Sequence, residues 1–215
     1  MNKMKNNQIA LLVVVVSMLS CSNGAKTEQV KSETNQKKEC CSKETGAGAM
    51  ETISDESLFN ISSQWQTQKK QTFAFNGLKG KTTITAMIFT SCQSACPRIM
   101  ADLKNIESGL NAEEMKQVQF LLVTMDPERD TPGRLSTFKR EHQLNDNWTL
   151  VCSDEDATTE IANVLGVRIK KLSGGGFDHS NTIFVLNTNG VITYKKDGLG
   201  GAQTETIAAI KSLQQ

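Results

Sequence analysis

The chain has 215 residues, 38% of them hydrophobic and 22% charged, with 24 Lys and Arg against 23 Asp and Glu and a formal net charge of +1. This is an ordinary globular composition with room for one good core. The even charge balance gives no sign of nucleic-acid binding, which draws on a basic excess.

Lys3 and Lys5 precede an apolar run from Ile9 to Leu19, and Ser20–Cys21 follow it. A basic start, an 11-residue apolar stretch and a small residue before the cut describe a secretory signal peptide over residues 1–20. Spanning a bilayer takes roughly 20 apolar residues, so the run is too short for a transmembrane helix. The small residue before Cys21 resembles a bacterial lipobox, although Met18 stands where Leu is usual. The expectation is an extracytoplasmic, membrane-anchored lipoprotein, lipidated on Cys21 and facing the periplasm, with plain secretion as the alternative. Cleavage takes two lysines away and leaves 22 basic against 23 acidic residues, a net charge of −1. Residues 21–51, rich in Lys, Glu, Ser, Thr and Asn, read as a disordered tether between lipid and domain. Adjacent cysteines close a strained ring, so Cys40–Cys41 in this tether read as exposed thiols, with metal capture or intermolecular pairing as alternatives.

The domain spans residues 52–215. Phe59–Asn60–Ile61 and Thr72–Phe73–Ala74–Phe75 alternate like the strands of an N-terminal hairpin, and Gly77 and Gly80 mark turns before the next strand. Ile84 to Phe89 is a short apolar run read as a buried strand. Beyond it Ile99, Met100, Leu103, Ile106 and Leu110 recur at helical spacing. Proline is cheap at the first helical position, so Pro97 places Cys96 at the helix N-cap and Cys92 one turn back. Val118 to Met125 is the strongest predicted strand. Asp126–Pro127–Glu128–Arg129–Asp130 then turns into a helix capped at Thr131 with Pro132 first. Trp148 to Val151 is a short strand, and Ser153 caps a helix ending at Leu165. Gly174–Gly175–Gly176 opens a loop running through Asp178–His179–Ser180 into a strand, Thr182 to Leu186. Asn189–Gly190 turns the chain into Val191 to Tyr194, and a last helix covers Thr204 to Leu213. This order describes a three-layer α/β domain. With a dithiol at the end of its first central strand, it resembles the thioredoxin-like group.

Unpaired backbone N–H groups at a helix start, together with Arg98, favour thiolate over thiol at Cys92 and Cys96. Two such sulfurs can bind a soft metal or exchange disulfides; a stapling disulfide here would close too short a loop to stabilise much. Of the two histidines, His142 lies near a helix C-terminus and reads as a solvated, dipole-stabilised imidazole. His179 follows the glycine triplet in a loop that faces the dithiol in a thioredoxin-like fold. Two thiolates and one imidazole suit copper, with sulfur favouring Cu(I) and nitrogen Cu(II), whereas structural zinc wants a fourth ligand that is not offered nearby. Cys152 follows a short strand and reads as a buried structural thiol.

Phe89–Thr90–Ser91–Cys92 through Cys96–Pro97, then Asp126 to Pro132, then Asp178–His179–Ser180 before a strand together resemble the Sco/SenC family. Its members are membrane-anchored copper chaperones for the dinuclear copper site of cytochrome c oxidase. The resemblance covers roughly residues 53–215 and implies that Cys92, Cys96 and His179 are copper ligands. It also implies that Asp126 stands behind the ligands or docks a partner. The implied partners are the copper-site subunit of the oxidase and an upstream thiol reductant or copper donor. The family usually has Pro after the first cysteine, then an acidic or amide residue; here Gln93–Ser94–Ala95 fill the gap, which bears on partner choice rather than on metal binding. The rival reading is a thiol–disulfide oxidoreductase acting on the copper-binding cysteines of the oxidase subunit, and a third is a sensor without a transfer step. Against a thioredoxin-type reductase, none of the three prolines lies in the segment facing the dithiol, where such enzymes carry a cis-proline.

Overall fold

A computed structural model describes residues 54–92 and 95–215. The signal peptide, Cys21, the tether with Cys40 and Cys41, and Gln93–Ser94 lie outside the described residues. In chain order the elements are β1 (Trp65–Thr67), β2 (Thr72–Phe73), β3 (Thr82–Ile88), α1 (Ala95–Ser108), α2 (Ala112–Lys116), β4 (Val118–Thr124), α3 (Pro132–Glu141), β5 (Trp148–Cys152), α4 (Glu155–Leu165), β6 (Ile169–Lys171), β7 (Phe177–His179), β8 (Thr182–Leu186), β9 (Ile192–Asp197) and α5 (Thr204–Ser212).

Seven strands form one sheet in the order β2-β1-β5-β4-β3-β8-β9. β3, β4 and β5 run parallel, while β8, β9 and the β1–β2 hairpin join antiparallel. All seven residues of β3 and all five of β8 are buried. Alternate residues of a strand point to opposite faces, so both faces of the sheet are covered and the domain has three layers. The core joins Leu103 and Ile106 of α1 with Ile84, Leu121 and Val185 of the sheet, and Trp148 stacks on Phe120 at 4.2 Å.

The predicted N-terminal hairpin is present with a different first strand. Leu58–Asn60 form a 3-10 turn, because the Ser57 hydroxyl accepts the Phe59 N–H and both Leu58 and Phe59 are buried, which an alternating strand could not achieve. Thr72–Phe73 pair instead with Trp65–Gln66. At α4 the cap is Asp154, which accepts from Ala157 N, while Ser153 donates its hydroxyl to the Gln64 carbonyl. The helix α2, not expected from the sequence, opens on a capping box between Asn111 and Glu114.

Candidate metal and thiol site

The dithiol hangs from the end of β3. Cys92 is half-buried, and the Cys96 N–H donates to Cys92 Sγ at 3.3 Å. Cys96 lies inside the first described turn of α1 rather than at its cap, and is 2% exposed. Its thiol is pushed up to about 12, chiefly by burial, with the neighbouring Cys92 and Asp130 adding to the rise against the lowering bond from the Phe89 backbone. The expected pair of readily ionised thiols is therefore corrected at Cys96, where desolvation outweighs the helix N-terminus.

Thr90, two residues before Cys92, is locked from both sides. Its N–H and hydroxyl donate to Asp130 at 3.0 and 2.5 Å, while its Oγ1 and carbonyl accept from Arg134 at 3.0 and 3.2 Å. Asp130, fully buried, also accepts from the Thr124 hydroxyl at 2.5 Å. Neither Asp130 nor Arg134 was singled out from the sequence. The signal was the Asp126–Thr131 turn, whose second acid faces into the fold.

His179 ends β7, which pairs with β6 in a separate two-stranded sheet; the glycine triplet lies in the turn between these strands. Its Nδ1 lies 3.1 Å from the Ser180 carbonyl. A carbonyl only accepts, so this contact selects the tautomer of the neutral ring with the hydrogen on Nδ1, in which Nε2 is the nitrogen open to a metal. The ring stands edge-on to Phe89 at 5.9 Å, and Phe177 packs on the same ring at 5.1 Å. Cys92, His179, Arg129 and the glycine turn line one open cleft of about 540 Å³. Among the described residues, no three His, Cys, Asp or Glu side chains already converge as a metal cage. Cys92 and His179 line the same cleft, and buried Cys96 is joined to Cys92 through its backbone N–H.

Asp126 is 1% exposed, and its carboxylate accepts from Arg129 Nε at 2.5 Å rather than facing solvent. Cys152 is buried as expected, its thiol raised to about 11 by burial and by Asp130. His142 occupies the C-cap of α3, but burial and nearby Lys104 lower its pKa, and its ring lies 4.2 Å from that of Phe138. The solvated imidazole expected there is corrected: the ring is half-buried, and burial disfavours its charged form.

A family model described as SCO1/SenC matches residues 54–215. A Stutzerimonas stutzeri protein named for copper binding is 38% identical over 71 residues, 33% of this chain and 35% of that one, so the match spans about a third of the relative's length. The structure of Bradyrhizobium japonicum ScoI with copper bound superposes with a TM-score of 0.61 at 20% identity, covering 70% of this chain and 96% of that one. BsSco, described with a disulfide switch and as a member of the Sco family of cytochrome c oxidase assembly proteins, gives 0.64 at 23% identity over 77% and 99%. These likenesses establish the thioredoxin-like fold.

Proposed function

Because the chain belongs to the SCO1/SenC family, we propose that its domain is a copper metallochaperone serving the dinuclear copper site of cytochrome c oxidase. The observation that carries this reading is one cleft lined by both Cys92 and His179, with the Cys96 N–H hydrogen-bonded to Cys92 Sγ. Two sulfurs and one imidazole nitrogen are soft donors matched to copper. Cys92, the more accessible thiol, meets the incoming ion first. Cys96 follows and gives up its proton, since a metal takes the thiolate. His179 closes the set from its hairpin. The relative named for copper binding and the copper-bound ScoI support the choice of metal.

The oxidised alternative uses the same sulfurs. An accessible Cys92 and a buried Cys96 have the exposures of an attacking and a resolving thiol, and the disulfide switch described for BsSco supports a redox step. In an oxidising compartment the chaperone then needs an upstream thiol reductant as well as a copper donor. We further propose that Cys21 carries the lipid that holds the domain at the periplasmic face of a membrane, with the copper-site subunit of the oxidase as recipient. Mass spectrometry of the mature N-terminus tests the anchor: an unmodified Cys21 overturns it.

The deciding experiment is an anaerobic copper titration of the reduced domain. One copper per chain is expected, with an intense sulfur-to-Cu(II) charge-transfer band that disappears in the Cys92→Ala, Cys96→Ala double variant. Unchanged stoichiometry in that variant overturns the site.

A further inference from the structure

The two halves of the proposed copper site are mounted differently. Cys92 lies in the loop that follows β3 and Cys96 in α1, and Thr90 at the start of that loop is locked by Asp130 and Arg134. His179 sits on the β6–β7 hairpin, which shares no strand pairing with the seven-stranded sheet. The hairpin's ends run directly from α4 and into β8, with the Gly198 N–H bonded to the Asn181 carbonyl, so side chains that touch the hairpin add the contacts that fix its glycine end. Phe177 on Phe89 is one such contact, at 5.1 Å. The others come from consecutive residues of the turn after β4. Glu128 pairs with Lys171 at 2.6 Å, and a Cβ at Gly175 would stand 3.5 Å from Arg129 Nη1.

These two ties differ in kind. The Glu128–Lys171 pair is more than half exposed on both sides and contributes little. Arg129, its side chain 43% exposed, is anchored on a buried carboxylate through a charge-assisted bond from Nε, and its Nη1 stands where a Cβ on Gly175 would meet it, along the same cleft. A planar guanidinium can do both at once; a lysine ammonium cannot. We infer that Arg129, pinned by Asp126, is the positioning residue that sets the His179 hairpin over the dithiol. Asp126 thus acts on the site through Arg129, from beneath the surface. Only the metal arm of this inference rests on the copper reading.

The test compares Arg129→Lys, Arg129→Gln and Asp126→Asn with the parent chain. Hydrogen exchange on the reduced, metal-free protein reads the brace directly. Amides of the hairpin, such as Leu172 and Gly175, should exchange about tenfold faster in both Arg129 variants while amides of β3 and β4 stay unchanged. Asp126→Asn keeps an acceptor for Nε and should loosen the hairpin less. Glu128→Gln should change hairpin exchange by less than about threefold. With copper added, Cu(II) affinity should fall about tenfold in Arg129→Lys, and Cu(I) affinity, which two thiolates can supply, should hold within about twofold. Unchanged hairpin exchange in both Arg129 variants overturns the brace. Faster exchange with full Cu(II) affinity overturns the positioning role. Absence of copper binding in every chain, the parent included, overturns the copper reading and leaves the brace to be decided by exchange.

Discussion

Replacing Asp130 with alanine removes one acceptor from three donors at once: the Thr90 N–H, the Thr90 hydroxyl and the Thr124 hydroxyl. Asp130 and Thr124 are fully buried and Thr90 nearly so, so water cannot substitute at the old positions. A buried donor left unpaired costs about 1–3 kcal/mol, less where neighbours relax, and the three share one network, so a total of about 3–5 kcal/mol is expected. Domains hold only about 5–15 kcal/mol in all, so the loss is a large fraction. At about 2–4 °C per kcal/mol for a domain of this size, the melting midpoint should fall by about 6–20 °C. Asp130→Asn keeps one carbonyl acceptor and the shape of the side chain, and should lose about half as much. Thr124→Val removes one donor and also the acceptor of the buried Asp126 N–H, and should cost about 1–3 kcal/mol. Thermal and urea unfolding of the three variants give the comparison. A loss below about 1 kcal/mol in Asp130→Ala would refute the network as the anchor of the cysteine loop.

A Cys96 thiol pushed up to about 12 is protonated at neutral pH, so metal uptake there must release a proton, and apparent Cu(I) affinity should rise about tenfold per pH unit for each proton displaced. A competition titration from pH 6 to 8 that shows flat affinity contradicts this. The same elevated value makes the folded state lose stability as pH climbs from about 9 towards about 12, because the unfolded chain ionises this thiol first. Cys96→Ser should flatten that alkaline slope in pH-dependent unfolding. His179→Ala should lose Cu(II) far more than Cu(I), and equal loss of both would make the residue a loop-ordering group instead of a ligand.

Much of the architecture is legible because its signals are local. Thr131 caps α3 with Pro132 at its first position, Gly166 ends α4 in the left-handed conformation at φ 68°, and Val118–Thr124 forms β4 around the apolar run Phe120–Val123. The dithiol and His179 are also legible as chemistry, since Cys92 and Cys96 stand one turn apart and the chain has only 2 histidines. What escapes is decided at a distance. Cys96 sits beside polar residues at a helix start, and nothing local tells that the turn is covered, so its ionisation was misread. The β6 and β7 strands are three residues each, with Lys170 and Lys171 exposed, and carry no periodic signal beside the glycine triplet. The turn holds two aspartates, on either side of Glu128, of equal promise in sequence. Only packing separates Asp126, tied to the cleft through Arg129, from Asp130, tied to the cysteine loop through Thr90.

The outer strands of the main sheet have a bearing on solubility. An unpaired strand rim is a template on which a second chain can grow. Here one rim is β2, with two residues to offer, and the other is β9, where Thr193, Lys195 and Asp197 stand exposed. Too short on one side and too charged on the other, neither rim invites a neighbour to add a strand.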